Sequence, residues 1–542
     1  MKWSMVVSIF ISLLSSTLGG NILIFHLIST GSYVSVMNAM LQTLADHHNI
    51  TLYSIVHEDY PHPNVTVVPM KVPPMKSFFS TGLFEMLCDT GVQYITWKTV
   101  MSVTEDHVHN IYKEKNFQKL LTTKPAHYDV LMTFATFSEY SFQMAHVLKL
   151  PLIQICPTTP INHVNDAVGN PTFMTTSPNM YTQETHNSFF NRVKIYMKHL
   201  YAHIRYYWVY MAMINRITSQ YLPPGTPQAE VAHRNTSVLF VNMNSAMGFA
   251  RPFMPNMIEI GSIHCKPGKL LPQELEEFIS GSGEHGIIYL SFGSSIRSKF
   301  PEYIKQAILR VFERLPQRVL WKWNEEMTGL PANVRVSKWF PQQDVLAHNK
   351  TRLFVTQGGM FSMQEGIYHG VPSLVIPIAF DQQANCIMGK ELGYSEYINF
   401  CEFTEEKFAY WIDEMLSNPK YKFNAVRVSK LTRDQPLTIP EKIRWWTDYV
   451  IRHRGNPVVD QIEDKSSGLT RMDVDVILFL GLYRITNEGA DIWTFSANSQ
   501  LIYNCKYEVE KARRLKFPFV PIGGGDVACR QNTISNLPLL RQ

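Results

Sequence analysis

The chain has 542 residues, 45% hydrophobic and 18% charged, with a formal net charge of +5. That length exceeds what one ordinary core fills and predicts two domains with additions. So small a charge, with no basic stripe, gives no nucleic-acid footprint, and seven scattered cysteines without a CxxC pair make neither a zinc site nor a dense disulfide scaffold.

The first 20 residues, MKWSMVVSIFISLLSSTLGG, hold one lysine, an apolar stretch over 5–14 and small residues at the end. This reads as a secretory signal peptide, too short to span a bilayer, with the mature chain opening near Asn21. Four Asn-x-Ser/Thr sequons, at Asn49, Asn64, Asn235 and Asn349, agree with a lumenal route and are candidate glycosylation sites.

From Asn21 the apolar run NILIFHL, the turn ISTGS and a helical pattern over 33–48 form a strand–turn–helix entry unit. Further strands are expected at ITLYSIV, YDVLMTF and LPLIQIC, giving an N-terminal α/β domain over 21–250. Within it, residues 191–222 are aromatic and basic and read as an amphipathic helix pair. One side would meet an apolar ligand or a lipid surface; the preferred reading is core-packing helices with solvated Lys and Arg. A Pro- and Gly-rich stretch over 251–285 reads as a linker. A second α/β series, 286–455, follows with strands at GIIYLSFGSS, RVLWKW, RLFVTQGG and PSLVIPI. The expected fold is therefore α/β, two doubly wound Rossmann-like domains facing a cleft, with ligands beyond the carboxyl ends of the strands.

Candidate binding residues cluster in the second series. Gly358 and Gly359 allow a sharp turn and close approach of backbone to a ligand. The helix behind them offers unpaired N–H groups and a positive dipole end, suited to a diphosphate. Ser362 and Glu365 share one face of that helix, the hydroxyl for a phosphate oxygen, the carboxylate for the two hydroxyls of a ribose. Ser-x-x-Glu also reads as a capping box needing no ligand. Upstream, Trp339 can stack on a flat base and Gln342 can bond its edge or the sugar. Downstream, Asp381 and Gln382 can grip vicinal hydroxyls, and Gly293 and Ser294 offer contacts to phosphate.

These residues stand in WFPQQDVLAHNKTRLFVTQGGMFSMQEGIYHGVPSLVIPIAFDQQAN, which resembles the signature of the UDP-glycosyltransferases, particularly the insect and baculovirus branch that includes ecdysteroid UDP-glucosyltransferases. RPFMPNMIEIGSIH and GIIYLSFGSSIRS are similar to the same family. The resemblance implies a GT-B fold, a UDP-sugar (UDP-glucose first) held by the C-terminal domain, and a small lipophilic acceptor held by the N-terminal one. It also implies inversion at the anomeric carbon without a metal or other cofactor. By matching positions, Trp339 would stack on uracil, Gln342 bind the nucleoside and Glu365 the ribose. Ser362 and Gly359 would face the phosphates, Asp381 and Gln382 the sugar. Gln357 stands where many members carry a phosphate-binding His.

The same resemblance implies a catalytic His in the first loop, oriented by an acid after the YDV strand. The matching residues here are Tyr33 and Phe134, so both members of the dyad are replaced. A tyrosine of ordinary pKa near 10 is a poor base at neutral pH, and phenylalanine cannot orient one. The stand-ins are Glu139 first, then His26, His107 and His109, with His26 read rather as core. A catalytically impaired UDP-sugar-binding relative is the alternative function. In the tail, 456–542, the longest apolar run covers 476–483, far below the roughly 20 residues of a span. The product is expected in the endoplasmic-reticulum lumen, membrane-anchored if the native tail differs, and soluble or secreted otherwise.

Overall fold

A computed structural model describes residues 19–73, 92–122, 127–173, 175, 188–249, 251–293 and 301–456, without side chains for 92–100. The core of the signal segment and residues 457–542 lie outside the described residues.

The first sheet has seven strands: β1 (Asn21–His26), β2 (Asn49–Ser54), β3 (Val65–Pro69), β4 (Val130–Phe134), β5 (Leu152–Cys156), β6 (Thr236–Val241) and β7 (Met257–Glu259). All pair in parallel, in the order β3-β2-β1-β4-β5-β6-β7. The second sheet is built from β8 (Ile287–Ser291), β9 (Arg318–Lys322), β10 (Val334–Ser337), β11 (Thr351–Thr356), β12 (Ser373–Val375) and β13 (Ser395–Tyr397). It too is parallel, in the order β10-β9-β8-β11-β12-β13. Parallel sheets are covered by helices on both faces, so their strands are continuous apolar runs rather than alternating ones. Every residue of β4, β5, β6 and β8 is buried.

In each sheet the chain starts in the middle, runs to one edge, and returns to fill the other side. The reversal falls between β1 and β4 in the first sheet and between β8 and β11 in the second. Connections leave such neighbouring strands in opposite directions, which opens a crevice at their carboxyl ends. Tyr33 and Phe134 follow β1 and end β4; Gly293 and Gln357 follow β8 and β11.

Several expectations are corrected. The 251–285 linker supplies β7, whose Met257 and Ile258 pair with Leu239 and Phe240 and complete the first sheet's edge, and then the helix Gln273–Ser280. The expected helix pair over 191–222 is one helical run: Phe189–Arg205, a π-helical turn at Tyr206–Met211, and Ala212–Thr218. Strand β12 is shorter than PSLVIPI because Pro377 lacks the N–H that a longer ladder would need. Finally, the helix Ile439–His453, last in the second series, packs on the first sheet. Ile443 and Val450 join Ile22, Ile24 and Leu41 in one core, and Asp448 lies 3.5 Å from His48 Nε2.

Candidate active site

At the crevice of the second sheet, two glycines have left-handed backbones and no room for a side chain. Gly293 has φ +73°, and a Cβ there would lie 2.4 Å from Gln357 Nε2; Gly358 has φ +86°, and its Cβ would lie 2.5 Å from Val375. The turn delivers the chain into the helix Met360–Tyr368, whose N-cap is Gly359 and carries no side-chain cap. Ser362 is the third residue of this helix and not its cap, so the capping-box reading fails. Its hydroxyl accepts instead from Gln342 Nε2 at 3.2 Å.

One turn deeper, Glu365 is the centre of a polar cluster. Gln342 Nε2 donates to it at 2.6 Å and Gln343 Nε2 at 3.2 Å, while His264 Nε2 stands 3.6 Å away. The Gln342 oxygen accepts from Tyr289 at 3.2 Å, which fixes the amide's orientation. Burial pushes Glu365 up to about 7, against the pull of Gln342, Gln343 and Lys322. Gln364, facing the other way, donates to the Asn242 carbonyl at 3.0 Å and accepts from Ser262 N at 3.3 Å. These bonds fasten the helix to the first half of the molecule.

Asp381 stands at the same helix end. Its Oδ2 accepts from Met360 N at 3.3 Å and from Asn385 Nδ2 at 2.8 Å, and burial raises its pKa. Gln382, expected beside it as a sugar ligand, is largely committed elsewhere. Its oxygen accepts from the backbone N–H groups of Ile378 and Ala379, at 2.8 and 3.0 Å, to hold the turn. Only its amide nitrogen is left to face a ligand. Gln357 is buried between Gly293 and Gly359, and its Oε1 has no hydrogen-bond partner among the described residues. Trp339 is 67% exposed after β10, an open indole face. Ser294 lies outside the described residues.

At the crevice of the first sheet, Tyr33 bonds Thr136 Oγ1 at 2.8 Å and packs edge-on against the fully buried Phe134. Burial raises the Tyr33 pKa above its ordinary 10 against the pull of the Thr136 bond, and Cys156, Glu139 and Asp381 add to the rise. Of the stand-ins, Glu139 is buried, accepts from Tyr210 OH at 2.9 Å and is pushed up to about 7 by burial. His107 bonds the Leu27 carbonyl at 2.8 Å, and His109 bonds Tyr221 at 2.9 Å. His26 is fully buried against Phe134, and burial drives it down to about 3, so it is a neutral core residue.

Sequence reasoning missed Gln343, His264, Asn385 and Thr136. Gln343 and Asn385 could have been found, because each lies beside or one helical turn from a chosen residue; Thr136, two residues after Phe134, and His264, the end of RPFMPNMIEIGSIH, stand in segments already singled out, but only the fold shows what their side chains meet. Of the sequon residues, Asn49, Asn235 and Asn349 are exposed, whereas Asn64 donates its amide to the Ala45 carbonyl at 2.8 Å.

Two parallel sheets of this topology, with polar groups gathered at both reversals, define a GT-B fold of the glycosyltransferase kind. Solved structures agree on the fold. Phytolacca americana UGT2 complexed with UDP-2fluoro-glucose and pterostilbene superposes with a TM-score of 0.54 at 13% identity, covering 80% of this chain and 100% of that one. CalG4, the calicheamicin glycosyltransferase, gives 0.54 at 14%, covering 80% and 99%. The family model for UDP-glucoronosyl and UDP-glucosyl transferase matches residues 6–510, and the chain belongs to that family. It is 29% identical over 485 residues to UDP-glycosyltransferase UGT5 of Dactylopius coccus, 86% of this chain and 90% of that protein. To UDP-glucuronosyltransferase 2B18 of Macaca fascicularis it is 29% identical over 392 residues, 72% and 73% of the two chains.

Proposed function

We propose that the protein transfers a hexose, glucose first, from its UDP conjugate to a small lipophilic acceptor, with inversion at the anomeric carbon. The observation that carries this reading is Glu365, held by Gln342 and Gln343 one turn behind an uncapped helix end at the reversal of the second sheet. A nucleoside diphosphate fits that order of groups. Uracil stacks on Trp339 with Gln342 at its sugar, and the ribose hydroxyls donate to Glu365. The diphosphate meets Gly293, Gly359, Ser362 and the first-turn N–H groups, with Gln357 donating from its amide. The hexose lies toward Asp381 and the amide nitrogen of Gln382. A relative named UDP-glucosyltransferase 2, from Dactylopius coccus, is 28% identical over 457 residues and supports glucose as the first sugar to test.

In the transfer, the acceptor oxygen forms a bond to the anomeric carbon on the face opposite UDP while the sugar–phosphate bond breaks. The helix dipole and its N–H groups offset the charge developing on the departing UDP, a role for which no metal is required. Tyr33 cannot take the acceptor's proton, since burial holds its hydroxyl protonated. Acceptors that give up their proton to solvent before attack, such as phenols, are therefore favoured over plain alcohols. The signal peptide and exposed sequons support action in the secretory lumen. The test is a screen of UDP-glucose, UDP-galactose and UDP-glucuronic acid against phenols, alcohols and amines, with products read by mass. A phenol glucoside is the expected product; bound UDP without transfer to any acceptor would overturn the reading.

A further inference from the structure

Gln343 stands beside Gln342 at the start of the short helix Gln342–Ala347. Both N–H bonds of its amide are spent: Nε2 donates to Glu365 Oε1 at 3.2 Å and to the His264 carbonyl at 3.1 Å. Its oxygen accepts from Lys266 N at 2.6 Å. One side chain therefore joins the Glu365 carboxylate to the segment 264–266, which belongs to neither sheet. His264 makes a second link between the same two places, its Nε2 lying 3.3 Å from the Phe361 carbonyl and 3.6 Å from Glu365.

The segment is fastened in turn to the first half of the protein. It leaves β7 through Ile260 and Gly261, whose N–H groups donate to the Val241 and Met243 carbonyls at 2.8 and 3.0 Å. Ser262 N donates to Asn242 Oδ1 at 3.3 Å, and Lys266 Nζ donates at 2.9 Å to Gln42 Oε1 on the helix Gly31–Leu44. Neither end has slack: a Cβ on Gly261 would strike the Met243 backbone, and one on Gly268 would strike Ala347. A shift of Glu365 thus moves Gln343, and a shift of Gln343 pulls on bonds that reach the end of β6 and the helix after β1. Energetic coupling runs through contiguous bonds of this kind, and its proof is a measured coupling. We propose that Gln343 is a positioning residue: it aims Glu365 at the ribose and carries the seating of a nucleotide there to the segment 264–266 and the first half of the protein. The proposal rests on the reading that Glu365 binds ribose.

The experiment is hydrogen exchange of the full chain with and without saturating UDP, read by mass on peptides covering 258–268 and 358–370. In the wild type UDP should slow exchange in both, by about fivefold or more in the first. In Gln343→Leu it should slow only the second, since the link between them is cut. Exchange in β4 and β8 reports folding in the same run. Gln343→Asn, whose shorter amide cannot span Glu365 and Lys266, is the milder variant if leucine is not tolerated. A merely structural role would raise exchange in both peptides without UDP and leave the effect of UDP on each intact. Two results would overturn the proposal: in the wild type UDP slows 358–370 and leaves 258–268 unchanged, or both peptides respond in the Gln343 variants as in the wild type. No response of either peptide in the wild type would instead remove the nucleotide site itself, and the proposal with it.

Discussion

Tyr33 and Phe134 meet with ring centroids 4.6 Å apart and planes at 62°, at the reversal of the first sheet. The family resemblance puts a general base and its orienting acid at these two positions. Here the pair is aromatic, one member fully buried and the other tied to Thr136. On that resemblance the two positions would still meet as a dyad does, with the proton chemistry lost.

Restoring the chemistry should restore rate. Tyr33→His with Phe134→Asp is expected to raise kcat with alcohol acceptors by about 10²–10⁴, the usual contribution of a general base. Phe134→Asp alone should only destabilise, since it buries an unpaired carboxylate. Initial rates with matched alcohol and phenol acceptors check this. The gain should be smaller for phenols, which need less help in losing a proton.

Two buried acids make stability depend on pH. Glu365 and Glu139 rise from an ordinary 4.5 to about 7 on folding, through burial. Between those values the folded state holds protons that the unfolded state has released, so each acid's contribution is lost as pH rises from 4.5 through 7. Buried histidines act oppositely: His26 and His233, both driven down to about 3, penalise the fold as pH falls below 6.5. The informative quantity is therefore a difference. The thermal midpoint of Glu139→Gln minus that of the wild type should grow in the variant's favour between pH 4.5 and 7, by on the order of 2 kcal/mol in stability.

Gly293 and Gly225 separate backbone strain from loss of a site. Both have positive φ, +73° and +85°, but a Cβ at Gly225 meets nothing within 4 Å, whereas one at Gly293 strikes Gln357. Alanine at either position should cost about 1 kcal/mol of stability. Only Gly293→Ala should also weaken UDP binding, by displacing Gln357; calorimetric titration of the two variants makes the comparison.

Asp381 should divide the sugar from the nucleotide. Its carboxylate sits against Met360 N, beside the N–H groups assigned to phosphate. Asp381→Asn removes a negative charge from that end and should leave UDP affinity equal or higher. The KM for UDP-glucose should nevertheless rise about tenfold, through loss of an acceptor for the hexose hydroxyls. Parallel loss of UDP affinity would show that Asp381 only supports the helix.

Much of the scaffold is legible because parallel strands buried on both faces are unbroken apolar runs, as at 130–134 and 287–291. The donor cluster is legible because most of it comes from one segment, 339–385, read in order. Contacts made across the chain are not legible. Nothing near His264 announces Glu365, and nothing in 439–453 announces that Ile443 joins the core of the first sheet. The commitment of Gln382 to backbone N–H groups also depends on the turn at Pro377–Asp381, which a residue type cannot reveal. The sequence of the 189–205 helix shows amphipathicity but not which face the core takes, the one carrying Ile195, His199 and Ala202.

The central claim is that Glu365 and the helix end before it hold UDP. Calorimetric titration of UDP into the wild type and into Glu365→Ala tests it directly. Loss of the carboxylate's bonds to two ribose hydroxyls predicts at least a tenfold weaker affinity in the variant, since bonds to a charged group contribute about 1.5–3 kcal/mol each. No heat of binding in the wild type, or equal affinity in a folded Glu365→Ala, would contradict the account.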